Sequence, residues 1–103
     1  MAIAMHIVNK SRGDARKAYG EAWKRMQERG MSPHPAGQQY HAAWLVGDEV
    51  HVVNVWDSQE ASDAFMATLA PILEEVGLEF AGPPEAGELL RIVEPADTSE
   101  WAD

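Results

Sequence analysis

Two strand-like runs, Gln38 to Val46 and Glu49 to Trp56, flank the dipeptide Gly47-Asp48. A glycine beside a short polar residue is what a two-residue hairpin turn needs, because its central positions take backbone angles that larger residues resist. The turn sets the register: Val46 opposite Glu49, Trp44 opposite His51, His41 opposite Asn54 and Gln39 opposite Trp56. Side chains alternate along a strand, so one hairpin face carries Gln39, His41, Ala43, Leu45, Val50, Val52, Asn54 and Trp56. The other carries Tyr40, Ala42, Trp44, Val46, Glu49, His51, Val53 and Val55. Both faces are largely apolar, so whatever the chain builds must cover both sides of this sheet.

Ala2 to Val8 reads as a first strand, closed by the polar turn Asn9 to Gly13. From Asp14 the apolar period becomes helical: Ala15, Tyr19, Ala22, Trp23 and Met26 recur on one stripe, Asp14 is placed as N-cap and Gly30 as the stop, giving a helix over 14–29. Met31 to Gly37, with Pro33 and Pro35, is a loop. After the hairpin, Asp57 or Ser58 caps a second helix, with Glu60 placed for a capping box from Asp57. Its stripe runs through Ala61, Ala64, Phe65, Thr68, Leu69, Ile72, Leu73 and Val76, is interrupted by Pro71 and ends at Gly77. Leu78 to Pro84 is extended and then irregular, and Leu89 to Val93 is read as the last strand.

The order strand, helix, strand, strand, helix, strand predicts an α+β fold: a ferredoxin-like βαββαβ sandwich with one antiparallel sheet and both helices on one face. The 103 residues suit one domain, placed at 1–95, with an acidic flexible tail at 96–103 in which Trp101 could dock on a neighbour. Two helices cover one sheet face only. A second copy of the chain is the simplest cover for the other, so a homodimer is expected.

Residues 1–30 hold seven of the eight basic groups against three acids, while the remaining 73 hold fourteen acids and Arg91 alone, for a net charge of −9. Nucleic-acid binding is disfavoured, since tracking phosphates needs clustered Lys and Arg. The asymmetry reads as a solvated basic helix face beside acidic loops, or as a guide to self-association. No run spans a membrane, and Met1 to Val8 lacks the basic start and cleavage site of a signal peptide. The absence of cysteine removes thiolate catalysis, disulfides and cysteine-ligated metal, and leaves the cytoplasm as the default compartment.

On one hairpin face His41, Asn54, Trp56 and Gln39 form the strongest candidate site. Histidine transfers protons near neutral pH, an asparagine amide can donate to a developing oxyanion or orient the imidazole, and an indole offers a flat wall. The competing reading has His41 and Asn54 satisfying each other while Trp56 fills core. Tyr19 and Trp23, one turn apart, and Phe65 and Met66 on the second helix are core or pocket lining. No pair among His6, His34, His41 and His51 has helical ligand spacing, and His41 and His51 fall on opposite faces, so no metal is expected. His34 is a loop residue near a pocket mouth, and the face of His6 is left open.

Pro35-Ala36-Gly37-Gln38-Gln39-Tyr40-His41-Ala42, Val53-Asn54-Val55-Trp56-Asp57-Ser58-Gln59-Glu60-Ala61, Phe65 and Leu69-Ala70-Pro71-Ile72-Leu73 resemble the dimeric α+β barrel superfamily, in particular uncharacterised proteins near the antibiotic biosynthesis monooxygenase-like domains. The resemblance implies a homodimer with sheets packed face to face and a pocket in each protomer. It also implies that Asn54, Trp56 and His41 stand for the Asn, Trp and His that line the pocket in some monooxygenase members. The activity implied is cofactor-free oxygenation or cyclisation of a small aromatic or polyketide-like molecule, with His41 and Asn54 catalytic. Trp56, Gln39, Tyr19, Trp23, Phe65 and Met66 would then bind a small apolar or aromatic ligand. The alternatives are a non-catalytic metabolite-binding or stress-related dimer, and a haem-binding or haem-degrading member.

Overall fold

The computed structural model describes residues 1–93, so the expected tail at 96–103 and Trp101 lie outside the described residues. Its elements are β1 (Ile3–Ser11), α1 (Ala15–Glu28), β2 (Gln38–Val46), β3 (Glu49–Trp56), α2 (Gln59–Val76), β4 (Leu78–Phe80) and β5 (Glu85–Glu88). The sheet is antiparallel in the order β2-β3-β1-β4, with β5 also paired to β1. This is the expected ferredoxin-like α+β sandwich with one change. Its last strand is in two pieces, and Leu89 to Val93 lies outside any strand. Phe80 is opposite Asn9 and Glu85 opposite His6, so the chain spends five steps where β1 spends three. Pro83 and Pro84 fall in that gap and have no N–H to give a ladder. β5 is exposed along its whole length and pairs through its backbone, which is why its side chains carry no strand pattern.

β1 runs on through Asn9, Lys10 and Ser11, which the sequence places in a turn. Pairing on both edges, to Glu49 and Val50 and to Leu78, Glu79 and Phe80, extends it. Ile3, Met5, Ile7 and Asn9 point toward the helices and are buried.

Asp14 caps α1 by accepting from the Lys17 N–H at 3.0 Å. At the other end Gly30, at φ 73°, allows the N–H of Gly30 to reach Gln27 O and that of Met31 to reach Met26 O, both at 3.0 Å. These two bonds satisfy carbonyls that the helix end would leave open. Ser58, not Asp57, caps α2, accepting from Ala61 N–H at 3.2 Å, so the capping box from Asp57 does not form.

Ala15, Ala18, Ala22 and Met26 of α1 face the sheet and α2, whose Ile72 is fully buried. Ser62, 1% exposed, donates its hydroxyl to Met5 Sδ at 3.1 Å. Arg12 donates to Glu74 O at 2.7 Å, a cation at the carbonyl end of α2 where the helix dipole favours it. Arg25 and Arg29 both meet Glu75, at 2.8 Å and 2.5 Å. Three of the seven basic residues within 1–30 are thus engaged by α2 of the same chain.

The hairpin register holds from Val46–Glu49 to Tyr40–Val55 and then slips: Gln38, not Gln39, is opposite Trp56. Gln39 is the extra residue of a β-bulge. The bulge is pinned from both sides, by Asp57 N–H donating to Gly37 O at 2.7 Å and by Gln39 Nε2 donating to Asp57 Oδ1 at 2.6 Å. Gly37 sits at φ 82°, and a Cβ there would lie 2.7 Å from that of Ala61.

Candidate functional site

A cavity of about 70 Å³ lies between the sheet and the two helices. Its floor is Ile7 and Asn9 of β1, Gln38 and His41 of β2, and Val50, Val52 and Asn54 of β3. Its walls are Tyr19, Ala22, Trp23 and Met26 of α1 and Phe65, Met66, Leu69 and Leu73 of α2, with Pro35, Leu78 and Phe80 completing it. None of the lining residues is Asp, Glu, Lys or Arg, so no fixed charge among the described residues faces the space.

A chain of hydrogen bonds occupies one end. Asn54 is 5% exposed and sits opposite His41 in the ladder. Its Oδ1 lies 2.6 Å from His41 Nδ1, and His41 Nε2 lies 2.9 Å from the Tyr19 hydroxyl. An amide oxygen only accepts, so Nδ1 carries the hydrogen. The neutral ring then has its lone pair on Nε2, to which Tyr19 donates. Gln38 Nε2 also donates to Asn54 Oδ1, at 3.4 Å, and helps hold the amide in this orientation. With its oxygen engaged, Asn54 has its amide nitrogen to offer the cavity. Trp23 stands edge-on to both rings, 5.7 Å from His41 and 6.2 Å from Tyr19 between centroids. It restricts how far either ring can turn.

Of the residues picked from the sequence, His41, Asn54, Tyr19, Trp23, Phe65 and Met66 meet at this cavity. Two do not. Trp56 is 1% exposed and packs with Ile3, Met5 and Phe65, its ring 5.3 Å from that of Phe65, so it is core and Trp23 is the indole wall. Gln39 is carried out of the site by the bulge and Gln38 takes its place. Asn9 was missed because its polar neighbours suggested a turn. The signal was the two-residue period continuing past Ile3, Met5 and Ile7.

The remaining histidines lie elsewhere. His34 is exposed in the loop, its N–H on Ser32 Oγ at 3.0 Å. His6 and His51 occupy the opposite sheet face, their ring nitrogens 3.2 Å apart beside Trp44, with Glu49 3.6 Å from His51 Nε2. Among the described residues no three His, Cys, Asp or Glu converge as a metal site, and no helix is long and apolar enough to cross a membrane.

The size of the cavity bears on what it admits. A cavity known to take benzene measures about 150 Å³, so the present space suits a diatomic molecule or a few waters, and a ring enters only as side chains move. Met26 and Met66, unbranched and flexible, are the lining residues best able to yield.

No protein-family model and no curated protein sequence matches the chain. Solved structures do match its fold. A protein of unknown function from Nitrosomonas europaea superposes with TM-score 0.64 at 18% identity, over 93% of this chain and 96% of that one. A Chloroflexus aurantiacus protein described provisionally as an antibiotic biosynthesis monooxygenase gives 0.65 at 12%, over 91% and 98%. SnoaB, a cofactor-independent oxygenase from Streptomyces nogalater, gives 0.59 at 13%, over 91% and 97%. The chain therefore has the fold of the antibiotic biosynthesis monooxygenase-like proteins.

Proposed function

We propose that this protein is a cofactor-independent oxygenase acting on an uncharged aromatic molecule that bears an acidic phenol or an activated methylene, and that it works as a cytoplasmic homodimer. The observation that carries the reading is the chain Tyr19–His41–Asn54 at one end of an uncharged cavity. The shared fold with SnoaB supports it.

In this reading the substrate gives a proton to Tyr19 Oη as Tyr19 passes its own to His41 Nε2. Asn54 Oδ1, accepting from Nδ1, steadies the imidazolium that forms. The substrate carbanion, held without a competing fixed charge, transfers one electron to dioxygen. The radical pair then joins as a C–O bond, and the stored proton returns to give a hydroperoxide. Loss of water leaves a carbonyl, so one CH₂ and one O₂ become one C=O and one H₂O.

The second copy would cover the open sheet face, where Tyr40, Trp44 and Val46 are 47%, 43% and 51% exposed. Sedimentation should give twice the chain mass, and Trp44→Glu should shift it to the monomer.

The enzymatic test is oxygen uptake with anthrone, a tricyclic compound with one activated methylene. The expected result is uptake with anthraquinone as product, lost in His41→Ala at unchanged melting temperature. Saturable binding without uptake would leave a non-catalytic binding protein, and uptake that persists in His41→Ala would remove His41 from the chemistry.

A further inference from the structure

Beyond the Tyr19–His41–Asn54 chain, the cavity wall holds a buried polar atom that no described residue satisfies. Asn9 is 5% exposed, lines the cavity, and has a buried Oδ1 with no hydrogen-bond partner among the described residues. The other inward positions of β1 are Ile3, Met5 and Ile7, so an apolar residue would suit this site in a strand that only had to pack. An unmade buried hydrogen bond costs roughly 1–3 kcal/mol. Such a group in a cavity wall is accounted for if its partner arrives with a ligand.

Its place in the sheet says where that partner must be. Asn54 is opposite Met5 in the ladder and Asn9 is four residues further along the same strand. At about 3.3 Å per residue the two asparagines are roughly 13 Å apart along the sheet. Ile7 and Val52 form the floor between them, Val50 lies opposite Asn9, and Met66 is among the other residues that line the cavity.

We propose that Asn9 is a specificity-determining residue whose amide oxygen accepts a hydrogen bond from the far end of the ligand. This deepens the reading of the cavity as a substrate site and rests on it. The ligand class that fits is elongated, uncharged and apolar in its middle, with an acidic proton at the Tyr19 end and a hydroxyl or N–H donor at the Asn9 end. A ketone or ether oxygen in that second position would face an acceptor with an acceptor.

Two probes of equal ring size separate the possibilities: naphthalene-2,6-diol, with a donor at each end, and 6-methoxy-2-naphthol, with one donor capped. Binding is measured by calorimetry under argon, so that turnover plays no part. The full chain should bind the diol about tenfold more tightly, the equivalent of roughly 1.4 kcal/mol. In Asn9→Leu the preference should vanish through weaker binding of the diol, while the ether binds as before. Asn9→Val, a strand-compatible second variant, should do the same if the leucine fails to fold. Equal affinities in the unaltered protein, binding of neither probe, or a preference that survives both substitutions overturns the proposal and leaves Asn9 to water. A protein that prefers the diol yet takes up no oxygen keeps Asn9 and loses the oxygenase reading. One that oxidises anthrone without preferring the diol does the reverse.

Discussion

The hydroxyl of Tyr19 on α1 donates to Nε2 of His41 on β2 over 2.9 Å, joining a helix and a strand through the one histidine that faces the cavity. The bond is directional because Asn54 already holds the hydrogen of the ring's other nitrogen. Tyr19 was expected as lining. In the proposed reaction its position would make it the first carrier of a substrate proton.

Removing that carrier alone should show its role. Tyr19→Phe keeps the ring that packs beside Trp23 and deletes the hydroxyl. Positioned acid–base groups contribute about 10²–10⁴-fold to rate, and oxygen uptake with anthrone should fall within that range while the melting temperature stays near that of the parent. An unchanged rate would mean that the substrate reaches His41 directly.

The two tryptophans should behave oppositely. Trp56 is 1% exposed among Ile3, Met5 and Phe65, and Trp56→Ala should cost about 3–5 kcal/mol of stability, read by urea unfolding. Trp23 is partly buried at the cavity wall. Trp23→Leu should unfold near the parent midpoint and lose most of its affinity for naphthalene-2,6-diol.

Gly37 is held twice over, by φ 82° and by Ala61 2.7 Å from any added Cβ. Gly37→Ala should therefore lower the melting temperature and disturb the bulge that aims Gln38 at Asn54. The double variant Gly37→Ala with Ala61→Gly relieves only the clash, so partial recovery is expected. Full recovery would show that the backbone angle costs nothing.

The Arg29 guanidinium, hydrogen-bonded to Glu75, and then that of Arg25 hold the Glu75 carboxyl below the usual carboxylate range. A carboxyl with a lowered folded-state pKa adds stability above its unfolded value and loses it as the pH falls through the folded one. Glu75→Gln should thus melt slightly below the parent at neutral pH. The gap should close on acidification, and also in high salt, because the group is on the surface. A gap that persists at low pH would point to packing rather than charge.

The frame of the fold was legible in residues whose meaning is local. Asp14 and Gly30 bracket α1, Gly77 ends α2, and Gly47-Asp48 fixes the hairpin as far as Tyr40–Val55. What could not be read depends on partners distant in sequence. The bulge at Gln39 is held by Asp57 and Gly37 packing against Ala61. β5 is a strand because β1 offers it an edge, not because Glu85-Ala86-Gly87-Glu88 favours one. In the candidate site the inward positions of β2 and β3 were visible from alternation alone. Which indole faces the cavity was not, because that is settled by how α2 brings Phe65 over Trp56.

The bulge also bears on how the molecule behaves among its copies. β2 is an edge strand, and Gln38 to Val46 contains no charged residue that would deter another strand from pairing along it. A regular uncharged edge is a template for amyloid-like growth, and an extra residue that kinks the strand is one of the ways proteins blunt it. Deleting Gln39 would restore a continuous ladder along that edge. The irregularity that turns Gln38 toward Asn54 thus also interrupts that edge at its start, while Tyr40 to Val46 run on in regular register.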